Sequence, residues 1–232
     1  MLNFRTASIL FLIILGGIIF IHSAFGISWW WIAPVFAIYI LQLAMGSARI
    51  NSGFYTTVYC EAKTNDKKIA ITFDDGPTSF TPSILKTLAE YNVPATFFMI
   101  GKNIASNENI VKQIVSEGHS IGNHTFTHSF FIDFKTTSGF KKELQQMDDA
   151  QFAITGNRLK LFRPPYGVTT PHLVKAAKKL GYYIIGWNIR SLDTTNNNEQ
   201  LILKRVTDQI KPGAIILFHD TSEKTNRILN QT

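Results

Sequence analysis

From residue 69 onward, short apolar runs alternate with stretches whose apolar side chains recur every three to four positions. The runs at 69–73, 95–100, 120–123, 161–163, 182–187 and 214–218 predict strands. The periodic stretches at 82–91, 104–117, 140–154, 172–180 and 199–210 predict helices. Gly118, Gly156 and Gly181 follow three of these helices, where a left-handed residue favours termination. Thr81 and Pro82 supply a capping hydroxyl and a first-turn proline. Strands separated by helices make right-handed βαβ units, so the fold class is α/β with mostly parallel strands. The units suit a distorted, incomplete (β/α) barrel. Neither GxGxxG nor a phosphate-binding GxxxxGK motif occurs, so no nucleotide partner is expected.

The N-terminus follows a different pattern. No Asp, Glu, Lys or Arg stands between Arg5 and Arg49. That length predicts two membrane spans of about 20 residues each, near 6–22 and 27–46, forming a transmembrane hairpin within residues 1–48. Trp29, Trp30 and Trp31 begin the second span, where aromatic rings favour the headgroup level. A signal peptide would also begin with Arg5 and an apolar run, but no small-residue cleavage site follows, which favours the uncleaved hairpin. Residues 49–67 read as a polar linker with a short strand around 54–59, and residues 68–232 as the α/β domain. The flanking arginines lean toward a cytoplasmic domain. The chemistry below favours the outer face of a bacterial-type inner membrane, and that is the expectation adopted.

All 16 acidic residues and all but one of the 23 basic ones lie beyond the hairpin, and the formal charge is +7. This suits proximity to anionic lipid or an acidic polymer. No basic run with interleaved aromatics marks a nucleic-acid groove, so no nucleic-acid partner is expected. Cys60 is the sole cysteine, which precludes an intrachain disulfide and leaves it a buried or inert thiol.

The reactive side chains gather where strands end. Thr-Phe-Asp-Asp-Gly-Pro at 72–77 closes the first strand with paired carboxylates. Successive strand residues face opposite ways, so one aspartate can bind metal while the other acts as a base. His-Thr-Phe-Thr-His at 124–128 places two imidazoles on one face if the stretch turns helically. Two imidazoles and a carboxylate leave positions on Zn²⁺ open for water and substrate. Arg163, in Arg-Pro-Pro-Tyr-Gly at 163–167, can clamp a carboxylate in a bidentate fork. Asp193 follows a further strand, and His219 ends the last apolar run. His119 reads as structural, and His172 has no evident partner.

In these blocks, in this order from about 68 to 220, the chain resembles the polysaccharide deacetylases, the carbohydrate esterase group typified by nodulation-type chitooligosaccharide deacetylase. The resemblance implies that Asp74 is the general base and that Asp75, His124 and His128 hold a divalent metal, usually Zn²⁺. It implies that Arg163 orients Asp74, that Asp193 orients His219, and that His219 is the general acid. Tyr166 would supply a backbone N–H to the oxyanion and Leu217 would line the acetyl-methyl pocket, with Pro165 and Trp187 beside the substrate. Removal of N-acetyl groups from peptidoglycan or a related N-acetylglucosamine polymer would be the activity, with chitin oligomers or an O-acetyl ester such as acetylxylan as further substrates. A non-catalytic glycan-binding scaffold and a cytoplasmic deacetylase of lipid-linked sugar precursors are the alternatives.

Two features depart from the family pattern. Its fourth block usually reads Asp-x-x-Asp-Trp, whereas Arg190 takes the first position here and Thr194 replaces the tryptophan. Few residues follow Asp220, so either the chain is cut short or the barrel closes less completely, with 224–230 beginning a last helix.

Overall fold

A computed structural model describes residues 2–232. Seven strands form one sheet: β1 (Ala70–Asp74), β2 (Thr96–Met99), β3 (Ser120–Asn123), β4 (Leu161–Phe162), β5 (Tyr183–Ile184), β6 (Ile189–Arg190) and β7 (Ile215–His219). Their order is β5-β4-β3-β2-β1-β7-β6, and every neighbouring pair is parallel. The sheet is a curled, incomplete barrel, as the βαβ pattern predicts. Tyr59 bridges to Ile185 beyond β5, while Glu61 bridges to Ala214 before β7. The expected linker is therefore packed backbone, with Ile50, Phe54 and Cys60 buried, and the strand expected near 54–59 is reduced to these isolated bridges.

Alternation along the strands sorts side chains between two environments. Phe73, Phe97, Met99, Ile216 and Phe218 point outward into a core shared with Ile84, Leu85, Ile114, Met147 and Val206. Fully burying such a side chain is worth about 1.5–3 kcal/mol, so this layer supplies most of the scaffold's rigidity. Thr72, Asp74 and Phe98 take the intervening, inward positions. Gly122 is required opposite Phe98, because a Cβ there would meet the phenyl ring.

The barrel helices are α3 (Thr81–Glu90), a single turn α4 (Gly101–Ile104), α5 (Glu108–Ser116), α6 (Thr137–Thr155), α7 (Pro171–Lys179), α8 (Glu199–Thr207) and α9 (Glu223–Leu229). The helix predicted over 104–117 is split, and Asn107 explains the break: its carboxamide donates to the carbonyls of Asn103 and Pro77 instead of leaving the helix undisturbed. The strand predicted over 182–187 also divides. β5 ends at Ile184, Trp187 lies between strands, and β6 pairs separately with β7. The final segment does form a helix, and Ile228 and Leu229 are buried in the core.

Ahead of the barrel stand two helical segments long and apolar enough to cross a membrane: α1 (Phe4–Phe25), and Trp29–Ala48, in which a 3₁₀ turn at Trp29–Trp31 leads into α2 (Ile32–Ala48). They pair through stacked rings of Phe11 and Tyr39 at 4.2 Å and a hydrogen bond between Ser8 and Tyr39 at 2.9 Å. Their outer side chains stay exposed, including Leu12, Ile13 and Phe20.

Candidate active site

β1 delivers both carboxylates to the C-terminal rim and separates them. Asp74 is buried and in register with His219 of β7, so their backbones are adjacent. Arg163 lies wholly inside the barrel, its guanidinium 4.1 Å from the centre of the Phe98 ring. It donates to Asp74 Oδ1 at 2.7 Å, Thr72 Oγ1 at 2.8 Å and the Gly186 carbonyl at 2.9 Å. Burial pushes the guanidinium's pKa down, and the Asp74 charge offsets only part of that. The pair is thus compensated, but only as a pair.

Asp75 adopts a left-handed φ of 74°, which turns its carboxylate away from Asp74 toward the histidines. Its Oδ1 lies 3.5 Å from His124 Nε2 and 3.4 Å from His128 Nε2. Burial acts to raise its pKa, but His124, assisted by His219 and His128, holds it at about 2. His124 Nδ1 is 2.8 Å from the Arg163 carbonyl, which can only accept, so Nδ1 carries a proton and Nε2 is the nitrogen left to face Asp75.

The two imidazoles do not share a helix face, contrary to the expectation from their spacing. Thr125 (φ 67°) and His128 (φ 48°) are left-handed, so the stretch is a loop. Helical amides would bond to carbonyls four residues back. Here the Phe126 and Thr127 amides donate to buried Glu143 Oε2 at 3.1 and 2.8 Å, and the Thr125 amide donates to Asn123 Oδ1 at 2.9 Å. Glu143 on α6 therefore shapes the histidine loop; its place within an ordinary amphipathic helix gave no sequence signal.

These three residues fit a metal ion. Asp75 Oδ1 is buried without a hydrogen-bond partner, and the three candidate ligand atoms lie within 4.8 Å of one another. Tetrahedral Zn²⁺ with bonds of about 2.0–2.1 Å sets its ligand atoms about 3.3 Å apart, close to the 3.4 and 3.5 Å separations found.

Across the rim, His219 Nδ1 is 2.8 Å from Asp193 Oδ1, and its backbone N–H donates to Asp193 Oδ2 at 2.7 Å. Burial lowers the His219 pKa, but Asp193, joined by the charges of Asp74 and Asp75, more than offsets it and the net direction is upward. Ser191 and Thr225 also donate to Asp193, at 2.8 and 3.0 Å, so α9 helps to fix this carboxylate. Leu217 is on the inward face of β7, two positions deeper than His219, and is buried. Pro165 is buried and opens the turn carrying Tyr166, whose left-handed φ of 57° leaves its ring 4.8 Å from that of His128. Trp187 lies 5.6 Å from the Arg163 guanidinium and fills the space a Cβ on Gly167 would need.

Asp220, also unmarked in the sequence reading, is buried and supports the Asp-Asp-Gly-Pro turn. Thr81 Oγ1 donates to its Oδ2 at 2.5 Å, Thr78 donates to its carbonyl, and Gly76 has no room for a Cβ against its carboxyl. Burial pushes its pKa from 3.8 up to about 7. A raised folded-state pKa contributes stability that is complete below the unfolded value and lost as pH rises through the folded one. Relative to Asp220→Asn, the wild-type chain is expected to lose about 2–3 kcal/mol between pH 5 and pH 8. Urea-unfolding midpoints of both chains at the two pH values check this; parallel shifts would refute it.

An incomplete parallel barrel with a two-histidine, one-aspartate cluster at its C-terminal rim is the class of structure defined here. The profile described as polysaccharide deacetylase matches residues 61–185, and the chain belongs to that family. It is 39% identical over 164 residues to a peptidoglycan-N-acetylglucosamine deacetylase of Bacillus cereus, covering 69% of this chain and 76% of that one. It is 36% identical over 173 residues to the corresponding PgdA protein of Listeria monocytogenes, covering 74% of this chain but only 36% of that longer protein. Among solved structures, a family 4 carbohydrate esterase pseudoenzyme from Bacillus anthracis superposes with a TM-score of 0.70 at 27% identity, covering 75% of this chain and 62% of that one.

Proposed function

We propose that the chain is a membrane-held, metal-dependent deacetylase that hydrolyses N-acetyl groups of a glycan, peptidoglycan or a related N-acetylglucosamine polymer. Residues 68–232 form the catalytic domain, and the helices within 1–48 anchor it with the domain on the outer face. The observation that carries this reading is Asp75 Oδ1 at 3.4–3.5 Å from two imidazole nitrogens, beside a separate His219 and Asp193 pair.

Asp75, His124 and His128 would hold the ion, most suitably Zn²⁺, which when bound acidifies water and polarises an acetyl carbonyl. Arg163 occupies Asp74 Oδ1 and leaves Oδ2 to take the proton of the attacking water. As the water oxygen joins the carbonyl carbon, a Tyr166 backbone N–H stabilises the developing oxyanion. His219, kept protonated by Asp193, gives its proton to the sugar nitrogen as the C–N bond breaks, releasing acetate and a free amine. Leu217 accommodates the acetyl methyl, with Pro165 and Trp187 flanking the sugar.

The test is acetate release by the zinc-loaded full chain from N-acetylglucosamine oligomers, peptidoglycan and acetylxylan. Release from the N-acetylated substrates is expected. Zinc uptake with no release from any of them would instead favour a non-catalytic role, like that of the Bacillus anthracis pseudoenzyme.

A further inference from the structure

The membrane-type helices leave the barrel at the rim that bears the candidate site. The Thr169 N–H, three residues beyond Tyr166, donates to the Ser47 carbonyl at the end of α2 at 3.1 Å. Ile50, just past that helix, packs into the space that a Cβ on Gly186 would occupy and lies within van der Waals reach of one on Gly167. Gly186 is itself a carbonyl partner of Arg163. At the start of α1, Phe4 N–H donates to the Phe54 carbonyl at 2.8 Å. The tryptophans at Trp29–Trp31 mark the far end of the hairpin. With α1 and α2 in a bilayer, the mouth of the site therefore lies beside the headgroups.

Between α2 and that rim is a cleft of about 290 Å³ lined by Arg49, Tyr166, Trp187, Arg190 and Arg205. Its three arginines come from the end of α2, from β6 and from α8. Among the described residues, the arginine–carboxylate pairs within 4.0 Å are those of Arg158, Arg163 and Arg227. The three cleft guanidiniums thus have no carboxylate partner. Arg205 Nε donates to the Arg190 carbonyl at 2.8 Å, which ties the two elements together.

Arg49 alone could serve as a headgroup anchor, as basic residues at helix ends commonly do. Arg190 and Arg205 are different, because they belong to the barrel and converge on the same concavity. Arg190 also stands where the family pattern carries an aspartate. Its charge makes the cleft a site for a phosphate or diphosphate, which planar guanidiniums bind bidentately. Tyr166 lines this cleft and also packs on His128, so it separates the anion site from the metal-ligating cluster by one side chain. Phe130, Phe131 and Phe134, exposed by 77%, 68% and 86%, follow on the histidine loop, with Phe130 6.3 Å from Tyr166. Exposed aromatic rings on this rim suit an interfacial position.

We infer that the saccharide deacetylated here is membrane-borne: an N-acetylhexosamine joined through phosphate or diphosphate to a lipid, with the phosphate seated among Arg49, Arg190 and Arg205. This rests on the deacetylase reading above and narrows its substrate from a free polymer to a lipid-linked form.

The test uses the full chain, zinc-loaded, with phosphatidylcholine vesicles carrying polyprenyl-diphosphate N-acetylglucosamine or an uncharged polyprenyl N-acetylglucosaminide. The charged glycolipid is expected to show a kcat/KM about tenfold or more above the neutral one. The Arg190→Ala, Arg205→Ala double variant should erase that preference through KM, with turnover of the neutral glycolipid within about twofold. Equal rates on both lipids, or equal losses on both in the variant, would overturn the inference. So would phosphatidylglycerol raising the neutral rate by the same factor, since the cleft would then bind bilayer headgroups. Binding of the diphosphate glycolipid in micelles by the Asp75→Ala chain, expected to weaken about tenfold or more with both arginines removed, reads the anion site without turnover. If binding follows this pattern while no substrate releases acetate, the deacetylase reading fails and the anion site stands.

Discussion

Replacing Asp74 by alanine is expected to lower kcat by about 10²–10⁴-fold and to destabilise the barrel by about 3–5 kcal/mol. The rate loss follows from removing the carboxylate that takes a proton from water. The stability loss has a different cause: Arg163 is fully buried, and Asp74 is its sole carboxylate partner at 2.7 Å. Its other acceptors, Thr72 and the Ile185 and Gly186 carbonyls, are uncharged. Asp74→Asn separates the two effects, because it keeps the shape and an acceptor oxygen while removing the base. It should reproduce the rate loss with a smaller stability loss. Asp74→Leu combined with Arg163→Met should recover much of the stability, since well-packed apolar replacements of a buried pair are often neutral, yet remain inactive. Acetate-release kinetics and urea unfolding on the four chains provide the check, and an Asp74→Asn chain within tenfold of wild type would contradict the base assignment.

His219→Ala should cost about 10²–10⁴-fold in kcat while leaving zinc uptake unchanged. The more telling variant is Asp193→Asn. Burial opposes the net upward shift of the His219 pKa, and Asp193 is the largest of the groups that raise it, ahead of Asp74 and Asp75. An acid catalyst must be protonated, so this shift extends activity above the 6.5 of an ordinary imidazole on the alkaline side. Without Asp193, burial is unopposed by its nearest partner, and the alkaline limb should move to lower pH by about one unit or more. A kcat–pH profile of Asp193→Asn superimposable on wild type would remove the proton-donor role from this pair.

Much of this site was legible because its residues end strands. The apolar run before Asp74 and the run before His219 fixed two inward faces that the register then joined, Asp74 beside His219. The alternation also explains why adjacent Asp74 and Asp75 diverge, although the left-handed turn that completes the divergence depends on Asn103 holding the Asp75 carbonyl at 3.1 Å. The spacing of the histidine pair suggests a helix, whereas its backbone is a loop. A four-residue spacing is compatible with a helix, but the deciding partner, Glu143, is distant in sequence and ordinary in its local pattern. The apolar neighbours of Trp187 predict a strand; the chain instead breaks after Ile184 and pairs anew at Ile189. Arg190 was visible only as a departure from a family pattern. Its meaning depends on Arg49 and Arg205, which tertiary structure alone brings to the same cleft.

Zinc titration of the metal-free full chain, followed calorimetrically beside Asp75→Ala and His128→Ala, probes the arrangement at its root. One tightly bound ion per wild-type chain is expected, with uptake weakened by about 10²-fold or more in each variant and acetate release lost in parallel. Undiminished zinc binding by the Asp75→Ala chain, or acetate release that persists in it, would contradict the account.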